Sequence, residues 1–155
     1  MATEIERKFL TLNDHWKQSS HHSSHLRQGY LSSEKQCSVR VRTSETKAWI
    51  NVKSVTIGTQ RQEYEYEIPL ADGNEMLDTL SRKPLIEKIR YLVKVGEHIW
   101  EVDVFEGDNA GLTVAEIELN GVDEAFEKPS WAGEEVTDDP RYYNTRLSKL
   151  PYTQW

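Results

Sequence analysis

The residues of this chain best suited to chemistry are charged and set two apart. Glu4, Glu6 and Lys8 follow that spacing, as do Arg40 and Arg42, Arg61 with Glu63, Glu65 and Glu67, Lys88 and Arg90, and Glu116 and Glu118. Lys53 and Asp103 stand in similar surroundings. Side chains two apart share one face of a β-strand. Cations on such faces bind phosphate oxygens, and Arg can do so bidentately. Clustered carboxylates hold a hard divalent cation, Mg²⁺ or Mn²⁺, through oxygen ligands. A site lined by both signs needs a highly charged ligand. A triphosphate carries roughly −4 to −5, scaling from about −1.5 to −2 for a single phosphate ester.

Strands must display these faces. Period-two alternation runs through Glu4–Leu10, Leu26–Ser33, Ser38–Arg42, Ala48–Lys53, Arg61–Ile68, Ile86–Val95, Trp100–Phe105 and Thr113–Leu119. Opposite the charges stand apolar residues such as Ile5 and Phe9, Val39 and Val41, Ile50 and Val52, and Ile117 and Leu119. Met76, Leu77 and Leu80 predict a helix over 72–80. Asp139 followed by Pro140 predicts a capped helix running to about Leu150, and 122–127 can form a short one before Pro129. Gly58, Gly73, Gly96 and the segment 107–111 read as turns. Residues 13–25, rich in Ser and His, read as a polar loop. About eight antiparallel strands with short links point to a mainly β (α+β) chain, as a barrel or a strongly curled sheet.

An open sheet with one wet face would explain any single strand. The set is too dense in Arg, Lys and Glu for that explanation, and closing the sheet with its charges inward gives a tunnel. The 155 residues show no break in composition, so one domain over 1–155 is expected. The net charge of −7 argues against nucleic acid. No apolar run approaches membrane-spanning length. The charged N-terminal segment lacks the apolar core of a signal peptide. The lone Cys37 fits a reducing compartment, so a cytoplasmic protein is expected.

The segment Glu4-Ile5-Glu6-Arg7-Lys8 is the Glu-x-Glu-x-Lys signature of the CYTH, or triphosphate tunnel metalloenzyme, family. Arg27-Gln28-Gly29-Tyr30-Leu31, Val39-Arg40-Val41-Arg42, Val52-Lys53-Ser54 and Arg61-Gln62-Glu63-Tyr64-Glu65 follow in family order. Glu87-Lys88-Ile89-Arg90-Tyr91, Glu101-Val102-Asp103-Val104-Phe105, Glu116-Ile117-Glu118, Gly133-Glu134-Glu135-Val136-Thr137 and Arg141-Tyr142 complete the series. Over essentially its whole length the chain resembles that family, and in particular its stand-alone bacterial tripolyphosphatases.

The resemblance implies a closed eight-stranded antiparallel barrel with helices outside. It also implies metal-dependent hydrolysis of inorganic triphosphate to pyrophosphate and phosphate. By resemblance Glu4, Glu6 and Glu118 bind Mg²⁺ or Mn²⁺. Glu116 and Asp103 serve a second metal or position water, and Glu63 and Glu65 orient basic residues or reach a metal. Lys8, Arg40, Arg42, Lys53, Arg61, Lys88 and Arg90 cradle the phosphates. Lys8, Lys53 and Lys88, with Tyr30 on the face of Gln28 and Ser32, are the candidates for catalysis. The general base stays open, and a homodimer is compatible with the family.

Thiamine triphosphatase is an alternative, weakened by Ser38 where the vertebrate enzymes have an aromatic residue. Nucleoside triphosphatase, adenylate cyclase of the same family and a non-catalytic polyphosphate-binding module are others. The full carboxylate set speaks against a mere binder. His15, His21, His22, His25 and His98 lack metal-ligand spacing. Trp49 and Trp131 read as packing residues, and the C-terminal helix is expected to plug or pack on one tunnel end. No Walker-type loop or nucleophile–base motif is present.

Overall fold

The computed structural model describes residues 2–34, 36–55 and 60–155. Its strands are β1 (Ala2–Thr11), β2 (Ser20–Ser33), β3 (Cys37–Thr43), β4 (Ala48–Ser54), β5 (Gln60–Ile68), β6 (Ile86–Val95), β7 (His98–Glu106), β8 (Thr113–Leu119) and β9 (Ala132–Glu135). Helix α1 (Leu70–Thr79) lies between β5 and β6, and α2 (Asn144–Leu147) lies near the C-terminus. The sheet order is β5-β4-β3-β2-β6-β7-β8-β1 with antiparallel neighbours, and Glu4 of β1 pairs with Arg61 of β5 to close the ring. The expected eight-stranded barrel is therefore present. β9 adds to the far end of β1, outside the ring.

Alternation decides what each wall holds. On the outer face Ile5, Phe9, Trp100, Val102 and Ile117 form one core with Trp16 and Trp131. Each large apolar side chain so buried is worth about 1.5–3 kcal/mol over leaving it exposed. Helix α1 covers β3 and β4, where Leu77, Val41 and Ala48 are fully buried. Gly73 lets the helix come close, since a Cβ there would lie 2.5 Å from the Ala48 Cβ.

The inner face is not charged throughout. Tyr30, Ile86, Phe105, Leu112 and Val114 make a second apolar cluster with Val136, Tyr142 and Leu147 of the C-terminal segment. Alternation marks Ile86, Phe105 and Val114 as sharing the face of Lys88, Asp103 and Glu116, but only closure shows that the C-terminal segment supplies their apolar partner.

Several local expectations are corrected. Residues 13–25 are not a loop: Trp16 is buried in a 3₁₀ turn at His15–Ser19, and β2 already begins at Ser20. Gly73 lies inside α1 rather than in a turn. No helix forms at 122–127. The C-terminal helix is split into a 3₁₀ turn at Pro140–Tyr142 and the short α2, because Tyr143 is extended and its hydroxyl donates to the Thr137 carbonyl at 3.2 Å. Asp139 does cap the first piece, accepting from the Arg141 N–H. The turns at Gly96, Gly107 and Gly111 hold, with positive φ at each, whereas Gly58 lies outside the described residues.

Candidate active site

Closure sorts the inner charges into two sectors. Glu4, Glu6 and Lys8 on β1 face β8, where Glu6 pairs with Glu118 and Lys8 with Glu116, and Glu63 joins from β5. Arg40 and Arg42 on β3, Lys53 on β4, and Lys88 and Arg90 on β6 form the opposite, basic wall. A cavity of about 430 Å³ opens between them, lined by Glu6, Lys8, Tyr30, Arg40, Lys53 and Arg61. Ser33, Cys37 and Ser38 and, from the C-terminal segment, Thr137, Tyr143 and Asn144 line it as well.

Ion pairs hold the walls. Lys53 Nζ lies 3.2 Å from Glu4 and 3.1 Å from Glu63. Arg61 Nε donates to Glu4 at 2.8 Å and its Nη2 reaches Glu6 at 3.4 Å. Arg90 clamps both Asp103 oxygens at 2.8 and 2.9 Å and reaches Glu101 at 3.1 Å. Lys88, fully buried, sits 2.8 Å from Asp103. Glu65 takes Arg42 at 3.3 Å and the Asn51 amide at 2.6 Å. Lys8 Nζ donates to the Tyr142 carbonyl at 3.2 Å and lies 3.6 Å from Glu116.

Burial, with like-charged neighbours beside it, shifts several of these groups. Burial, then Glu116 and Glu4, push the Glu6 carboxyl up to about 8. Burial, with Glu4 and Glu101, also raises Glu118, and burial with the hydrogen bond to Glu4 raises Glu63 to about 7. Burial alone would raise Glu4 and Glu116 as well, but neighbouring hydrogen bonds and cations hold both well below the usual carboxylate range. On the other wall burial, Arg40 and Arg90 bring Arg42 down to about 10, and burial, Arg40 and Arg61 lower Lys53. Burial brings Lys88 down to about 8. Among the described residues Arg40 makes no ion pair although it is 5% exposed, and its Nε and both amide atoms of Gln28 lack a hydrogen-bond partner.

Such a set fits a divalent cation. Carboxylates that resist ionising beside one another become favourable once a cation joins them, and an all-oxygen donor set suits a hard ion. The crowded cations opposite ask for an anion in the same way.

The chain as a whole has relatives. The pattern of the CYTH domain matches residues 2–151. The chain belongs to the CYTH family. An inorganic triphosphatase of Acetivibrio thermocellus is 48% identical over 152 residues, 98% of this chain and 97% of that protein. An inorganic triphosphatase of Nitrosomonas europaea is 39% identical over 150 residues, 94% and 97% of the two chains. The crystal structure of the inorganic triphosphatase NE1496 superposes with a TM-score of 0.67 at 35% identity, covering 96% of this chain and 95% of that one.

Within this CYTH barrel the expected residues do not all meet one cavity. Glu6, Lys8, Tyr30, Arg40, Lys53 and Arg61 line it directly. Glu4, Glu116, Lys88, Arg90 and Asp103 are deeper partners, whereas Glu118 and Glu65 are more exposed. Trp131 packs in the core as expected, but Trp49 lies on the inner face with the Arg42 guanidinium 5.5 Å from its ring. Sequence reasoning gave no role to Asn51, Gln28, Tyr143 or Asn144. Alternation places Asn51 on the face of Lys53 and Gln28 on that of Tyr30, and strand pairing then sets Gln28 opposite Arg42; the last two have no local signal. No helix among the described residues is long and apolar enough to cross a membrane.

Proposed function

We propose that this chain is an inorganic triphosphatase, cleaving triphosphate to pyrophosphate and phosphate with Mg²⁺ or Mn²⁺, as one domain over 1–155 in a cytoplasmic setting. The observation that carries the reading is that closure gathers a carboxylate cluster on β1, β8 and β5 across the tunnel from basic residues on β3, β4 and β6, with Glu6, Arg40 and Lys53 meeting in one cavity. Each wall is unfavourable alone and each is relieved by one part of a metal–triphosphate pair.

Glu4, Glu6 and Glu118 would hold the metal, with Glu116 beside them. When bound, the ion supplies Lewis-acid polarisation of phosphoryl oxygens. Arg40, free of carboxylates, takes substrate oxygens first, joined by Arg42, Lys53 and Lys8. Glu63 and Glu65 aim Lys53 and Arg42, and Asp103 aims Arg90 and Lys88. Water attacks the terminal phosphorus and the bond to the bridging oxygen breaks, with pyrophosphate leaving. The cationic wall stabilises charge spread over the equatorial oxygens. Arg61, tied to Glu4 and Glu6, keeps the acidic wall compact, and Tyr30 borders the substrate from β2.

The test is phosphate release from tripolyphosphate, ATP, thiamine triphosphate and pyrophosphate, each with Mg²⁺, Mn²⁺ or chelator. Metal-dependent preference for tripolyphosphate is expected. Preference for ATP or thiamine triphosphate would overturn the substrate, and tight binding without release from any of them would overturn the enzyme reading.

A further inference from the structure

We propose that the outer wall of the barrel carries a separate cation site, formed by His25 on β2, Glu87 on β6 and Glu106 on β7, that takes a borderline divalent ion such as Zn²⁺ in preference to Mg²⁺. Neighbouring strands bring these residues together although His25 and Glu106 stand 81 positions apart in the chain. One ligating atom from each lies within 4.8 Å of the others. His25 Nε2 and Glu106 Oε1 are 3.0 Å apart. That is a hydrogen-bond contact, and two ligands roughly 2.1 Å from a tetrahedral ion lie about 3.4 Å apart, so a small opening of the pair admits one.

Two further observations favour a cation here. Glu87 and Glu106 are direct cross-strand partners, a like-charge pairing that destabilises a ladder unless something lies between them. Among the described residues the cation paired with this couple is Arg27, whose Nε stands off at 3.7 Å from Glu87. His25 is also held in place, its backbone N–H donating to Glu45 Oε1 at 2.6 Å. The three side chains are 41–42% exposed, so an ion has access and water can complete its shell.

The donor set decides which ion. One imidazole nitrogen with two carboxylates suits Zn²⁺ or Co²⁺, whereas Mg²⁺ prefers oxygen alone. The all-carboxylate sector inside the tunnel and this mixed triad outside it therefore sort two classes of cation. On binding, Arg27 moves from Glu87 and stays with Asp78 of α1, 3.6 Å from its Nη2.

The test is Zn²⁺ titration of the full chain by calorimetry in saturating Mg²⁺, for wild type, His25→Ala, Glu106→Gln and the His21→Ala/His22→Ala double variant. One Zn²⁺ per chain is expected in wild type and in the double variant. His25→Ala and Glu106→Gln should each weaken it by at least about 10-fold, with tripolyphosphate hydrolysis and circular dichroism unchanged. Absence of Zn²⁺ binding in wild type, wild-type binding by His25→Ala, or loss in the double variant instead would each overturn the proposal.

Discussion

Glu6 and Arg40 mark the two walls of the cavity at the scale of single residues. Glu6 resists ionisation because it is buried beside Glu116 and Glu4. Glu6→Gln resembles its protonated form, so the metal-free protein should keep its stability within about 0.5 kcal/mol. Metal-stimulated turnover should fall by about 10²-fold or more. Phosphate release against metal concentration, beside urea unfolding with chelator, checks both. Arg40 is the reverse case, a buried cation that depresses Arg42 and Lys53 and has no carboxylate of its own among the described residues. Arg40→Met keeps the stem and removes the charge. We expect kcat/KM to fall about 10²-fold, as for loss of one preorganised donor. The substrate-free protein should unfold no more easily than wild type, a trade of stability for activity. An unchanged kcat/KM would remove Arg40 from the phosphate site.

Two contacts between elements carry predictions of their own. Helix α1 rests on β4 through Gly73, where an added Cβ would meet Ala48 Cβ at 2.5 Å and Thr43 Cγ2 at 3.1 Å. In a free helix Gly→Ala gains about 1 kcal/mol. Here overpacking should reverse the sign, so Gly73→Ala costs about 1–3 kcal/mol in chemical denaturation. Ala48→Gly in the same chain should return most of it. β9 is held to β1 by Arg7, whose Nε and Nη2 donate to Glu135 at 2.8 and 2.6 Å. That hydrogen bonding holds the Glu135 carboxyl below its ordinary range. The pair therefore stabilises the fold above the unfolded carboxylate pKa, and that contribution is lost as pH falls through the folded one. Both side chains are about one-third exposed, so solvent limits its worth to about 0.5–1 kcal/mol. Glu135→Gln should differ from wild type by that amount in urea at pH 7, and the difference should begin to shrink below the ordinary Glu value of about 4.3 and close as pH falls through the lowered folded one.

For the whole molecule, the strain of each wall predicts how ligands act on the barrel. On the proposed reading, a metal held by β1 and β8 together with a non-hydrolysable triphosphate analogue held by β3, β4 and β6 would link the two walls. At about 100 times Kd it should add about 2.7 kcal/mol, or roughly 5–10 °C in Tm for a chain of this size. The analogue with chelator should do much less, since the carboxylate wall then stays uncompensated. Equal shifts with and without metal would break the link between the walls.

Alternation within strands depends only on neighbours in the chain, so the sequence by itself determined which residues share a face, and with them most of the strands and nearly all the tunnel charges. The Glu4-x-Glu6-x-Lys8 series and its successors also determined the family. What needed the tertiary structure are relations between distant segments. Only closure of β1 on β5 separates an acidic wall from a basic one, because strand order, not residue order, sets which faces meet. Only the fold reveals that Ile86, Phe105 and Val114 need Leu147 and Tyr142 as partners, and that an extended Tyr143 breaks the C-terminal helix. His25, Glu87 and Glu106 share no common motif, for their nearness comes from the pairing of β2, β6 and β7 and from nothing local.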